Sequence, residues 1–182
     1  MDDETGPDRR RSRTRKIILG VVLAGAVLGL FDLHAWGEKE VNVRKTAPEI
    51  SLASSLNSKE KLSLESAKGK VVLLEFWATW CPPCRASIPH LQKLHDRYAK
   101  QGLVIISITN EDENAVREFA TENRMTFPIG IDDRDKTMKT YGIRSIPSAF
   151  LIDTSGKLVW QGHTMALTEE QVVEALKPLK RL

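Results

Sequence analysis

Cysteine is almost absent: Cys81 and Cys84 are the only two in 182 residues, and histidine is confined to positions 34, 90, 95 and 163. With no second C-x-x-C and no H-x-x-x-H pair, the chain lacks the roughly four ligands of structural zinc. Arg85 stands where c-type haem attachment needs a histidine. No lone cysteine offers a peroxidatic site, and none follows the N-terminal apolar run, which excludes a lipoprotein anchor. Internal repeats and low-complexity stretches are missing too. The net charge is only +3, and six basic against four acidic residues within 1–16 account for +2 of it. The remainder is nearly neutral, which argues against a nucleic-acid surface.

What is present centres on Phe76-Trp77-Ala78-Thr79-Trp80-Cys81-Pro82-Pro83-Cys84. Val71 to Phe76 is an apolar, β-branched run, and the segment after Cys84 has helical spacing, so the cysteines sit where a strand feeds a helix. A helix start leaves unpaired N–H groups and a partial positive charge, both of which favour a thiolate. Cys81 is therefore expected as the exposed attacking sulfur, with Cys84, about one turn in, more buried and closing the disulfide. Pro82 and Pro83 have no N–H, leaving the amides of Cys84 and Arg85 as the first-turn donors for a Cys81 thiolate. The expected acidification is moderate, which suits an electron donor better than a strong oxidant. A purely structural bridge explains the pair poorly, because so short a loop removes little unfolded-state entropy.

Glu75 interrupts the apolar strand six residues before Cys81. Buried there, a carboxyl is costly to ionise and its pKa rises, which suits proton exchange with Cys84.

The stretch from Phe76 to Arg85 resembles the active site of thioredoxin-fold proteins, specifically the membrane-anchored TlpA/ResA-like thiol-disulfide oxidoreductases, and the likeness extends from about Ala47 onward. The resemblance implies an α/β thioredoxin fold: a mixed central sheet with helices on both faces and a helix-strand insertion. It also implies catalysis by Cys81 and Cys84 with no cofactor and no metal. Thioredoxin itself has a buried acid at the position of Glu75. TlpA/ResA-like proteins more often have Asn there and a glutamate three residues after the second Cys, where this chain has Ser87. Tyr141 to Asp153 resembles the family's second hallmark, in which the proline matching Pro147 is cis and faces the disulfide. The sequence alone leaves cis and trans open. Trp80, Pro82, Pro83, Ile146 and Pro147 are the substrate-binding residues on this reading. Ile146 and Pro147 form an apolar platform to which a substrate strand adds.

At the N-terminus, a basic tail over 1–16 precedes the uncharged run Ile17 to Phe31. This pattern is an export signal or signal anchor, and 17–36 is expected to stay as an uncleaved transmembrane helix, with Lys16 and Trp36 making up the ~20 residues of a span. Residues 37–46 read as a tether and 47–182 as the thioredoxin-like domain. The expected location is the cytoplasmic membrane, single-pass, with the catalytic domain facing the periplasm or cell exterior, where disulfides persist.

Along the domain, Ala47 to Leu52 carries a short strand before a hairpin, and Lys61 to Leu64 alternates like a second. Leu103 to Ile108 reads as a buried strand, giving a βαβ unit with the central one. Asp112 to Asn123 reads as an amphipathic helix and Phe127 to Asp132 as a short edge strand; together they match the family's insertion. Asp135 to Tyr141 is a helix stopped by Gly142, Asp153 to Lys157 a hairpin turn, and Leu158 to Gln161 its return strand, with a bulge at Gly162. Thr168 to Gln171 is a capping box for a last helix with Val172, Val173, Leu176 and Leu179 inward. The order is ββαβαβαββα.

The resemblance implies exported protein disulfides as substrates, apocytochrome c among them, and a CcdA-like membrane electron donor. Two other readings stay open at this level: an oxidant that installs disulfides, and a copper carrier using both thiolates with His163 and Met165.

Overall fold

The computed structural model describes residues 45–177. The expected tail, membrane segment and most of the tether, and Leu179, lie outside the described residues. Among the described residues no helix is long and apolar enough to cross a membrane.

The elements run β1 (Leu52–Leu56), β2 (Val71–Phe76), α1 (Pro82–Tyr98), β3 (Leu103–Thr109), α2 (Glu113–Glu122), β4 (Ile129–Asp132), α3 (Lys136–Thr140), β5 (Ser148–Ile152), β6 (Leu158–Gly162) and α4 (Glu169–Leu176). They build one six-stranded sheet in the order β1-β4-β3-β2-β5-β6. Pairing is parallel for β2–β3 and β3–β4, and antiparallel for β1–β4, β2–β5 and β5–β6. This is the thioredoxin-like mixed sheet with helices on both faces.

β2 is buried along its whole length because both faces of the sheet are covered. Its side chains split by parity. Val71 and Leu73 enter a core with Trp77, Cys81, Cys84, Ile88, Leu91 and residues of α2 and α4. Val72, Leu74 and Phe76 enter a second core with Tyr141 and Ile50 on the other face. Glu75 shares the parity of Val71 and Leu73, so the sheet aims its carboxyl at the cysteine side.

α1 continues through Pro89 and ends in a 3-10 turn over Ala99–Gln101. Gly102 closes it at φ 103°, a left-handed conformation that favours glycine, and its carbonyl accepts the N–H of Val71 at 3.0 Å. The end of α1 is thereby tied to the start of β2. Asp112 caps α2 through the amides of Asn114 and Ala115, and the capping box of α4 forms as Thr168–Gln171.

Several expectations are corrected. Lys61 to Leu64 forms no strand: the Glu49 carboxylate accepts the N–H groups of Leu64 and Glu65, and Ser63 and Ser66 bond each other's backbone, so a turn replaces the strand. The early strand falls at Leu52–Leu56, not 47–52, and makes no local hairpin. It crosses the fold to pair with β4, which places β4 inside the sheet and leaves β1 as the edge. The irregularity in β6 lies opposite Leu151 and Ile152, not at Gly162. Gly162 pairs with Ala149, and a Cβ there would stand 2.9 Å from the Trp160 ring. Val173 is exposed, because one turn of α4 directs only Val172 fully into the core. The tether is shorter than expected: Thr46 bridges Lys157, the Ala47 N–H donates to the Gly156 carbonyl, and the Leu158 N–H donates to the Lys45 carbonyl.

Candidate active site

The two cysteines form a disulfide at the start of α1. Cys81 is the N-cap, in extended conformation, with Pro82 and Pro83 in the first turn, where a missing N–H costs nothing. Its Sγ accepts the Cys84 N–H at 3.3 Å. The Arg85 amide is not available to the sulfur, because it donates to the Cys81 carbonyl at 3.0 Å. One first-turn donor therefore reaches Cys81, not the two expected.

A further correction concerns exposure. Cys81 is 3 % exposed and Cys84 1 %, so in the disulfide form neither sulfur stands clear of the surface. The Cys81 Sγ lies 3.9 Å from the carbonyl oxygen of Ile146, and Ile146–Pro147 is a cis peptide bond, which answers the question the sequence left open. Trp80 is 71 % exposed beside the disulfide. Pro82 and Pro83 are exposed, Ile146 half-buried and Pro147 buried. The fold thus gathers Trp80, the two prolines and Ile146–Pro147 around Cys81, although β2 and β5 bring them from distant parts of the chain.

Glu75 is 1 % exposed. It sits in register between Ser107 on β3 and Ala149 on β5. Ser107 Oγ donates to Oε2 at 2.8 Å, and Thr164 Oγ meets Oε1 at 3.5 Å. Burial pushes its pKa up from 4.5 to about 8, against the opposing pull of the two hydroxyls. Thr164 belongs to a 3-10 turn, Thr164–Ala166, that packs against α1. At Ser87, where the resemblance implies a glutamate, the buried hydroxyl donates to the Cys84 carbonyl at 2.7 Å and offers no titratable group.

His163 Nδ1 accepts the Met165 N–H at 3.3 Å, capping this turn. That ring nitrogen is held by backbone, which counts against the copper-carrier reading.

One residue near the site has no precedent in the sequence reading. Glu111, between β3 and α2, accepts the Thr79 N–H at 2.7 Å and the Thr79 hydroxyl at 2.6 Å. Periodicity carries no trace of it, since the partners are 32 residues apart.

A redox-active Cys-x-x-Cys at a strand-to-helix junction of a thioredoxin-like sheet, with cis-Pro147 beside it, defines a thiol-disulfide oxidoreductase. The chain belongs to the AhpC/TSA family, whose sequence model matches residues 43–161. It is 35% identical over 166 residues to the thiol-disulfide oxidoreductase ResA of Bacillus thuringiensis subsp. konkukian, covering 90% of this chain and 94% of that one. It is also 35% identical over 173 residues to ResA of Geobacillus thermodenitrificans, covering 94% and 98%. Among solved structures, StoA from Bacillus subtilis is similar with a TM-score of 0.60 and 28% identity, over 73% of this chain and 100% of that one. A thioredoxin-family thiol:disulfide interchange protein from Chlorobium tepidum has a TM-score of 0.63 and 26% identity, over 74% and 97%.

The single amide on Cys81 leads to a prediction. Alkylation of the reduced protein followed against pH is expected to show a Cys81 midpoint lowered from the ordinary thiol value by the one amide donor and the helix start. A midpoint at about pH 4 would require donors that this geometry does not supply.

Proposed function

We propose that the protein is a membrane-tethered reductant of disulfides in exported proteins, with Cys81 as nucleophile, Cys84 as resolving thiol and Glu75 as proton acceptor. The observation that carries this reading is a carboxyl buried on the cysteine face of β2, its pKa raised by burial to about 8, in the same chain as a disulfide whose Cys81 sulfur has one amide donor.

The Cys81 thiolate attacks one sulfur of a target disulfide, whose S–S bond breaks as a mixed disulfide forms and the other target sulfur leaves as thiolate. Glu75 takes the proton from Cys84, and the Cys84 thiolate attacks Cys81. The second target sulfur leaves, and the protein holds the disulfide seen in the structure. Two electrons pass to the target. A pKa of about 8 lies close to the ordinary value of a thiol, about 8.5, so the transfer from Cys84 to Glu75 is nearly balanced in energy, where general-base catalysis is efficient. The cysteine pair carries the electrons, so no cofactor enters the cycle. Trp80, Pro82, Pro83, Ile146 and Pro147 form the docking surface. The target presents an extended segment to the Ile146 backbone.

The basic tail and apolar run of residues 1–31 support a signal anchor in the cytoplasmic membrane with the domain outside. The ResA relatives, named thiol-disulfide oxidoreductases, support disulfide exchange, and the export-type N-terminal pattern supports exported proteins as its targets. Apocytochrome c is the substrate we propose, with a CcdA-like membrane protein restoring the dithiol. The test is the reduction potential of the Cys81–Cys84 couple. A value of about −270 mV, as in thioredoxin, supports a reductant, and one of about −120 mV means an oxidant.

A further inference from the structure

Trp80 lies in a stretch, Ala78 to Trp80, that belongs to neither β2 nor α1. The last ladder bond before it is the Trp77 N–H to the Ile108 carbonyl, and the next anchor is the Cys81 N–H to the Ala78 carbonyl. Between them, the Thr79 N–H is satisfied only by the Glu111 carboxylate, which also accepts the Thr79 hydroxyl. Its Oε2 accepts the Thr109 hydroxyl at 3.0 Å, which fixes the carboxylate to the end of β3. The next residue, Asp112, caps α2, and Phe119 of that helix packs on Trp77 at 5.6 Å and under the Arg85 guanidinium at 5.5 Å. The β3–α2 connection thus grips the loop before Cys81 through Glu111, and α2 packs through Phe119 on Trp77 and Arg85 at either side of it.

We infer that Glu111 is a positioning residue for protein substrates, holding Thr79 so that the exposed Trp80 is presented beside Cys81 in one conformation. The inference rests on the proposed function. It deepens that reading by making the β3–α2 connection a determinant of selectivity for protein disulfides over small ones. A large partner must rest on Trp80 to bring its disulfide to the sulfur, and loosening the loop adds an ordering cost to that docking. A small disulfide meets the sulfur without it.

The test compares, in the full chain, kcat/KM for insulin with kcat/KM for the Ellman aromatic disulfide. In Glu111→Ala the ratio is expected to fall about tenfold through a raised KM for insulin. Glu111→Gln is expected to keep the ratio within about threefold, since its amide oxygen accepts the Thr79 N–H and its amide group donates to the hydroxyl. Thr79→Val removes one of the bonds without touching the carboxylate and is expected to lower the ratio about threefold. It decides the matter if Glu111→Ala does not fold. An unchanged ratio, or parallel loss on both substrates, would overturn the inference. A wild-type protein inactive on both would instead sink the proposed function.

Discussion

Glu75→Gln is expected to unfold less readily than the wild type at alkaline pH, and to turn over more slowly. In the folded protein the Glu75 carboxyl holds its proton up to about pH 8, whereas in the unfolded chain it ionises at about 4.5. Between those values the folded state binds more protons than the unfolded one, so stability falls as pH rises. The loss begins near pH 4.5 and is complete above about pH 8, reaching about 5 kcal/mol at 1.36 kcal/mol per unit. Glutamine stays neutral, and its amide can satisfy both Ser107 and Thr164, so this loss is absent in the variant. Urea unfolding at pH 5, 7 and 9 measures it. The two proteins should be similar at the first pH and diverge by several kcal/mol at the last. Parallel stabilities across the range would mean that the carboxyl is not buried in its neutral form. The same variant has no base for Cys84, and disulfide reduction at pH 7 is expected to fall about a hundredfold. A group that destabilises the fold yet speeds its chemistry is the trade common at catalytic positions.

Cys81→Ser has the largest expected effect on activity. A serine hydroxyl does not attack disulfides, so turnover should drop at least about a thousandfold, to the uncatalysed background. Cys84→Ser should also fail to turn over, for a different reason: Cys81 still attacks, but nothing releases the product. Single-turnover kinetics separate the two, because Cys84→Ser retains a first-phase burst that Cys81→Ser lacks. Bursts of equal size would contradict the assignment of separate tasks to the two sulfurs.

What could be read from the residues, and what could not, follows the range of the interactions. β2, α1, β3, α2 and the capped α4 are encoded locally, by apolar periodicity and by capping side chains within a few positions, and the structure has them where that reading puts them. The burial of Glu75 and its raised pKa were legible from the apolar strand around it, whereas its place on the cysteine face follows from strand parity only once the two cores are known. Long-range pairings were not. Lys61 to Leu64 alternates like a strand, but a carboxylate 15 residues earlier, on Glu49, takes its amides into a turn. The Phe127 to Asp132 segment looks like an edge strand until β1 crosses the fold to cover it. The Arg85 amide, counted as a donor to sulfur, is taken by the ordinary helical bond to the Cys81 carbonyl. Glu111 was invisible because its partner Thr79 lies on a different strand end, joined only by the parallel β2–β3 pairing.

Mass analysis of Cys84→Ser incubated with a disulfide-bonded target tests the central claim most directly. The account predicts a covalent one-to-one adduct through Cys81, released by reductant. Absence of any adduct, with the Cys81 thiol of the reduced variant also closed to alkylation, would contradict it.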